Sequence, residues 1–130
     1  MVALRALALL LAAACMNPVP PRLSAIEQRI FAPNCAFSSC HSVFGAAGAL
    51  VLAPGRSFAQ LVSHSCAQDA ARAEGLLRVV PGDPAHSFLL MKLHTIDPKY
   101  GDRMPQNALP LDDSDLSSIE EWIREGAQDN

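Results

Sequence analysis

A chain of 130 residues with a formal net charge of −3 is long enough for one small domain. Half of the residues are apolar but only 5% are aromatic, so the core is thin for this length unless it packs around a large apolar group. The basic residues are scattered singly, without the patch or stripe typical of nucleic-acid-binding proteins, and we therefore expect no nucleic-acid partner.

The N-terminus has the pattern of an export signal. Met1–Arg5 carries one positive charge, 6–11 is apolar, and small residues at 12–14 come directly before Cys15. The apolar stretch is too short to persist as a membrane-spanning helix. We predict a signal peptide over 1–14 that resembles a bacterial lipoprotein signal, with Cys15 lipidated and the protein anchored to a membrane in the periplasm or cell envelope. Ordinary cleavage at the same bond is the alternative.

A proline-containing tether is predicted over 15–23, followed by a single domain over 24–130. The first helix is expected to begin at Ser24, because Ser24-Ala25-Ile26-Glu27 matches the S-x-x-E capping box. Ile26 and Ile30 are four residues apart and share one face of this helix. Pro33 is expected to end it just before the first cysteine of the domain.

Further short helices are expected after a loop of small residues over 42–55. One covers Ser57–Ser63, and another is entered through Asp83 as N-cap with Pro84 at the first helical position. A loop over 95–110 leads to the clearest helix, whose apolar residues recur at helical spacing: Leu116, Ile119, Trp122 and Ile123.

Capping residues mark both ends of this last helix. Asp112 or Asp113 caps its start, and Gly126 stops it. Elsewhere in the chain, alternating apolar and polar residues form no run long enough for a sheet. The sequence therefore predicts an all-α fold of about four short helices.

The run Cys35-Ala36-Phe37-Ser38-Ser39-Cys40-His41 is the most informative motif. Two thiols followed at once by an imidazole is the arrangement that covalent haem attachment requires. Cys35 and Cys40 would form thioethers with the two haem vinyl groups, and His41 would be the proximal iron ligand. The usual spacing leaves two residues between the cysteines, whereas four separate them here.

Met104 is the candidate for the distal iron ligand, because it lies in a loop before the last helix and is followed by Pro105. The alternative is a core methionine that fills a gap, with Met91 or His94 as substitute ligands. Tyr100 and Arg103 are expected to contact a haem propionate, or to be ordinary loop surface.

With these parts in this order, the chain resembles a class I cytochrome c domain over about 24–127. More narrowly, it resembles small exported cytochrome-like domains of bacteria such as myxobacteria and planctomycetes. Five segments carry the likeness: Phe31-Ala32-Pro33-Asn34-Cys35, Ser39-Cys40-His41, Val79-Val80-Pro81-Gly82-Asp83-Pro84, Arg103-Met104-Pro105 and Glu121-Trp122-Ile123-Arg124-Glu125-Gly126-Ala127.

The resemblance implies a cytochrome c-like fold around one covalently bound haem c. It also implies a monomer that carries electrons between redox partner proteins, an electron-transfer protein rather than a catalyst. Action on peroxide by a haem with a displaceable methionine is the enzymatic alternative. The first helix lacks the glycine with which class I cytochromes bring this helix close to the last one, so Ile26 or Ile30 must pack there in another way.

Two alternatives without haem use the same cysteines. Cys35, Cys40 and Cys66, with His41 or His64, would supply a Cys₃His set for structural zinc. A disulfide-stabilised interaction domain would instead bridge Cys35 to Cys40, or bridge Cys66. If Cys15 is not lipidated, a disulfide from Cys15 to Cys66 is a further alternative.

Overall fold

The computed structural model describes residues 17–94 and 97–130, so the predicted signal peptide and Cys15 lie outside the described residues. Five helices follow one another in this part of the chain: α1 over 23–34, α2 Ser57–Leu61, α3 Asp69–Ala73, α4 Phe88–His94 and α5 Asp113–Arg124. Single 3₁₀ turns lie at Ala47–Ala49, Pro84–His86 and Pro98–Tyr100.

The all-α prediction is confirmed. Within the described ranges, extended backbone pairs only at isolated bridges, such as that between Val62 and Val79, and no strand forms. Helix α3 lies in a stretch whose apolar spacing predicted no element. None of the helices in 17–94 and 97–130 combines the length and apolar character needed to cross a membrane.

Helix α1 begins one residue earlier than predicted and without the capping box. Its backbone N–H groups at Leu23 and Ser24 donate to the side-chain and main-chain oxygens of Asn130, at 2.9 and 2.8 Å. No side chain caps the helix start at Arg22. Asn130 therefore accepts hydrogen bonds from N–H groups at the start of α1, a role that the capping box predicted for the side chains of Ser24 and Glu27.

The side chain of Glu27 bonds to the start of α2 instead of capping α1. Its carboxylate is buried and accepts from the backbone N–H of Gly55 at 2.8 Å, and from both the N–H and the hydroxyl of Ser57. A buried carboxylate is stable only when it is hydrogen-bonded in this way. The capping-box prediction is wrong because Glu27 fixes the start of α2 to α1.

A wide π turn over Glu27–Phe31 interrupts α1. Pro33 follows it, and proline both lacks an N–H and crowds the preceding turn of a regular helix. At the helix end the Phe31 carbonyl accepts from the N–H groups of Cys35 and Ala36, at 2.7 and 2.8 Å. The distorted end of α1 thus holds the first cysteine of the motif in place.

The described part of the predicted tether packs against the helices. Val19 is 6% exposed and belongs to the core, and its carbonyl accepts from the Ser118 hydroxyl at 2.7 Å. The Asn17 carbonyl accepts from the Arg29 side chain. Residues 17–22 therefore pack against the folded helices instead of extending freely from them.

Helix α5 agrees with its prediction at both ends. The Asp112 carboxylate accepts from the Asp115 N–H at 2.8 Å, and Gly126 has a φ of +107° directly after the last turn. The core of the domain joins this helix to α1 through side chains that are at most 1% exposed: Ile26, Ile30, Ile119, Trp122 and Ile123. Ile26 and Ile30 of α1 are thus buried in the same cluster as the apolar side chains of α5.

Helix α2 ends at Leu61 instead of Ser63, because Val62 is extended and the Ser63 N–H donates to the Val79 carbonyl. The Asp83 prediction is confirmed in part. Its carboxylate accepts from the His86 N–H, but it caps the separate 3₁₀ turn Pro84–His86, and Ser87 is extended before the helix begins at Phe88. Helix α4 follows and buries Phe88, Leu90 and Leu93.

Candidate functional site

A cavity of about 350 Å³ lies between the end of α1, the cysteine motif, α4 and the Met104 loop. Cys35, His41 and Met104 all line it. The rest of the lining is predominantly apolar and includes Phe31, Leu52, Leu61, Phe88, Leu89 and Leu93. Its volume and its lining are those of a small-molecule site.

The motif folds as a closed loop that returns His41 to Cys35. The His41 N–H donates to the Cys35 carbonyl at 3.0 Å, and the Cys40 N–H donates to the Phe37 carbonyl at 2.9 Å. The four intervening residues are accommodated within this loop, where Ser38 takes a φ of +46°.

Gly45 allows the following segment to pass against the motif backbone. A Cβ at this position would lie 2.5 Å from the Cys40 carbonyl oxygen and at similar distances from Ser39 backbone atoms. Such contacts are far inside van der Waals distance, so any larger residue would displace the loop that carries Cys40 and His41. Sequence reasoning treated Gly45 only as one of several small residues.

A backbone carbonyl orients the His41 ring. Nδ1 lies 3.3 Å from the Leu50 carbonyl oxygen, and because a carbonyl only accepts, Nδ1 carries the proton in this contact. In the neutral form of a ring with its proton on Nδ1, Nε2 carries the lone pair with which an imidazole binds a metal.

The two motif cysteines are in different environments. Burial, and secondarily the neighbouring Cys40, raises the pKa of Cys35 to about 12, so its thiol is protonated at neutral pH. Cys40 is partly exposed and is not among the residues that line the cavity. Both are free thiols.

Met104 is held at the cavity by its backbone, since its N–H donates to the Lys92 carbonyl near the end of α4 at 2.8 Å. The substitute ligands Met91 and His94 line a different depression, of about 620 Å³, with Tyr100. The two depressions lie on different faces of α4. His41 and Met104, the predicted proximal and distal ligands, both line the 350 Å³ cavity.

The expected propionate contacts are engaged elsewhere. The Tyr100 hydroxyl donates to Glu74 at 2.6 Å, and the Arg103 guanidinium donates to the Ala108 carbonyl. Neither residue lines the 350 Å³ cavity. These contacts agree with the alternative that both residues are ordinary loop surface, and the propionate contact stays a prediction.

Two cations that sequence reasoning missed line the cavity: Arg78 and Lys92. Arg78 is 6% exposed, and burial lowers its pKa despite the neighbouring Cys66. Burial likewise lowers the pKa of Lys92, against the effect of the nearby Asp102. The signal that could have found Arg78 is a single basic residue inside the apolar run 76–80.

Cys66 also lines the cavity and is buried. Burial raises the pKa of its thiol, and Arg78 opposes that shift. It forms no disulfide with another cysteine of the described ranges.

The zinc set is not assembled. Among the residues that the structure describes, no three His, Cys, Asp or Glu side chains converge as metal ligands. His64 is exposed, with Nδ1 at 3.0 Å from the Ser65 carbonyl oxygen.

Comparisons with protein-family models, with curated proteins and with solved structures find no match to this chain.

Proposed function

We propose that this protein is an exported, single-haem c-type cytochrome that carries electrons between redox partners. The observation that supports it most directly is that Cys35, His41 and Met104 line one apolar cavity although Met104 is distant in sequence. Three donor types that suit covalent haem attachment and axial ligation are thus available to one ligand.

Each of the four side chains would hold haem in its own way. The thiols of Cys35 and Cys40 would each add sulfur and proton across one vinyl group, so that a thioether forms without a leaving group. His41 would bind iron through Nε2, since its Nδ1 is engaged by the Leu50 carbonyl. Met104 would offer its thioether from the loop fixed to Lys92.

Haem bound in this way supplies a one-electron couple at iron. A thioether ligand favours the reduced state and raises the potential relative to a second histidine. Because His41 and Met104 would both be used to hold the iron, the iron would have no free site for a substrate. This arrangement favours electron transfer over catalysis.

The N-terminal pattern supports the location. A signal over 1–14 would deliver the chain to the compartment in which haem is attached, and a lipid on Cys15 would hold it at a membrane. Its partners would then be other redox proteins of the cell envelope.

The test is expression of the full chain together with cytochrome maturation factors. We expect a Soret band and haem that stays with the polypeptide after acid–acetone extraction. Replacing both Cys35 and Cys40 by Ser should abolish attachment, whereas Cys66→Ser, which changes a thiol outside the motif, should retain it. A colourless wild-type protein contradicts the proposal.

A further inference from the structure

The loop that carries the cysteine motif presents large apolar side chains to solvent. Phe44 is 99% exposed, and Phe37 and Val43 are about half exposed, at 51 and 53%. All three lie in the segment 37–46, which we call the Phe44 loop. Exposed apolar side chains grouped in one short segment are typical of a surface that contacts a membrane or another protein.

The sequence around the Phe44 loop lacks acidic and basic side chains. No Asp, Glu, Lys or Arg occurs between Arg29 and Arg56, although the chain as a whole has a formal net charge of −3. Membranes that contain anionic lipids repel acidic side chains. A net acidic protein therefore approaches such a bilayer at the lowest electrostatic cost through a segment of this kind.

Several polar groups of the Phe44 loop are hydrogen-bonded within the loop. The Ser42 hydroxyl donates to the Ser38 carbonyl at 2.6 Å and accepts from the Gly45 N–H at 3.0 Å. The Ser42 carbonyl accepts from the Ala46 N–H at 2.9 Å. A polar group that leaves water costs free energy unless it is hydrogen-bonded, so these contacts lower the cost of moving the loop into a bilayer interface.

The described start of the chain limits how far the Phe44 loop can lie from the predicted lipid. Cys15 precedes Asn17 by two residues, which span at most about 7 Å in any conformation. The Asn17 carbonyl accepts from the Arg29 side chain at 2.9 Å. Arg29 lies about 7 Å along the helix axis from Asn34, where α1 ends. A lipid on Cys15 would thus be attached on the order of 20 Å from the start of the cysteine motif, within reach of the same bilayer.

We infer that the Phe44 loop inserts into the interface of the membrane that carries the Cys15 lipid. This rests on the proposed function, from which it takes the lipid and the location in the cell envelope. A fluid interface accepts a fully projecting side chain such as Phe44 in any orientation, whereas a protein partner needs a pocket that matches it. Lipid and loop together supply two attachments, which hold the domain with its cysteine motif toward the bilayer.

Membrane binding by the loop is measured without the lipid. The haem-loaded mature chain is exported with an ordinary cleavable signal in place of residues 1–14 and with Cys15→Ser, so that any binding comes from the protein surface. Partition into phosphatidylcholine vesicles is measured by flotation. We expect Phe44→Ser to weaken partition at least about tenfold, because insertion of this side chain removes its apolar surface from water.

Leu109→Ser is the matched control, since Leu109 is 86% exposed and lies outside the Phe44 loop. Its partition should equal that of the parent chain. Because the sequence around the loop lacks charged side chains, partition should also be the same at about 0.05 and about 0.5 M salt. Phe44 is 99% exposed, so Phe44→Ser should keep the Soret absorbance and melting midpoint of the parent, which separates loss of binding from loss of fold.

Partition that is absent, or that is equal in the parent and Phe44→Ser chains, overturns the inference. Sedimentation then identifies the other occupants of the loop. A dimer that Phe44→Ser dissociates assigns the loop to a second copy of this chain, and a monomer without vesicle binding leaves it to another protein. Haem-loaded protein that fails to bind vesicles leaves electron transfer standing, whereas a colourless chain that binds them through Phe44 overturns haem attachment alone.

Discussion

At the scale of single residues, the site depends on side chains whose environment is fixed by backbone groups. The Leu50 carbonyl lies within hydrogen-bond distance of Nδ1 of His41 and orients its ring. The Lys92 carbonyl accepts from the Met104 N–H and fixes the position of that backbone. Backbone groups move little when a cavity fills, so such contacts hold the donors in position before a ligand arrives.

Met104→Ala tests the proposal that Met104 is the distal iron ligand. In the loaded ferric protein, this change should remove the weak charge-transfer band in the red that a methionine-ligated haem shows. Met91→Ala is the matched control, because Met91 lines the other depression and should leave the band unchanged. A band that persists in Met104→Ala would mean that another side chain is the ligand.

The acidity of Cys35 predicts a pH dependence of the haem-free protein. Its pKa is about 12 in the folded state and near the ordinary value of 9.0 when unfolded. Between these values the unfolded chain loses the proton and the folded chain keeps it, so stability present below pH 9 declines as pH rises.

Urea unfolding at about pH 8 and about pH 10.5 measures this effect as a difference in unfolding free energy. Wild type should lose more stability between the two pH values than Cys35→Ala, in which the titrating thiol is absent. Equal losses in the two proteins would show that Cys35 titrates alike in the folded and unfolded states.

At the scale of elements, the motif loop is shaped by the segments on both sides of it. The π turn before Pro33 directs the Phe31 carbonyl to Cys35, and Gly45 lets the returning chain lie on the Cys40 backbone. The four-residue gap between the cysteines is therefore a loop closed by backbone hydrogen bonds, in which residues 37–39 are exposed.

Gly45→Ala should disrupt this loop and lower the yield of haem attachment by about tenfold, equivalent to about 1.4 kcal/mol. The physical reason is overlap of the new Cβ with the Cys40 carbonyl. Attachment is measured as the ratio of Soret absorbance to protein.

Gly75→Ala is the control for this change. Gly75 has a φ of +73° in the turn after α3, and a Cβ there meets nothing within 4 Å. Its replacement should lower stability through backbone strain of about 1–2 kcal/mol, without lowering attachment in the folded fraction. Equal yields of haem attachment in Gly45→Ala and Gly75→Ala would show that Gly45 is not needed to shape the motif loop.

At the scale of the whole molecule, the buried residues form two clusters with the cavity between parts of both. The larger joins α1 to α5, and the smaller contains Cys66, Ala71 and Phe88. Cys66 and Phe88 line the cavity together with Leu52 and Leu61 of the larger cluster. An apolar ligand there would complete the contact between the clusters.

If the cavity holds haem as proposed, the protein without haem should be less stable as a whole domain. The double variant with Cys35→Ala and Cys40→Ala, expressed without haem, should melt about 10 °C or more below the loaded protein. Although thioethers would persist on unfolding, burial of the apolar surface of haem and its contacts with His41 and Met104 would exist only in the folded state. Circular dichroism measures both midpoints. Coincident midpoints would mean that the cavity contributes nothing to the fold when filled.

The sequence could predict features that depend on residues a few positions apart. The Asp112 and Asp83 caps, the Gly126 stop and the buried spacing of α5 are local, because each arises within one or two helical turns. The same holds for the order of donors in the cysteine motif. These features fixed the all-α class and the candidate ligands.

Tertiary structure decided whatever depends on contacts between distant segments. Glu27 binds residues 28 and 30 positions away, and Val19 binds a hydroxyl 99 positions away, so neither the lost capping box nor the packed tether is visible locally. Arg78 joins the cavity through carbonyls 18 to 30 positions away. Long-range packing outweighs local preference at these positions, since burial of a charge requires partners that only the folded chain supplies.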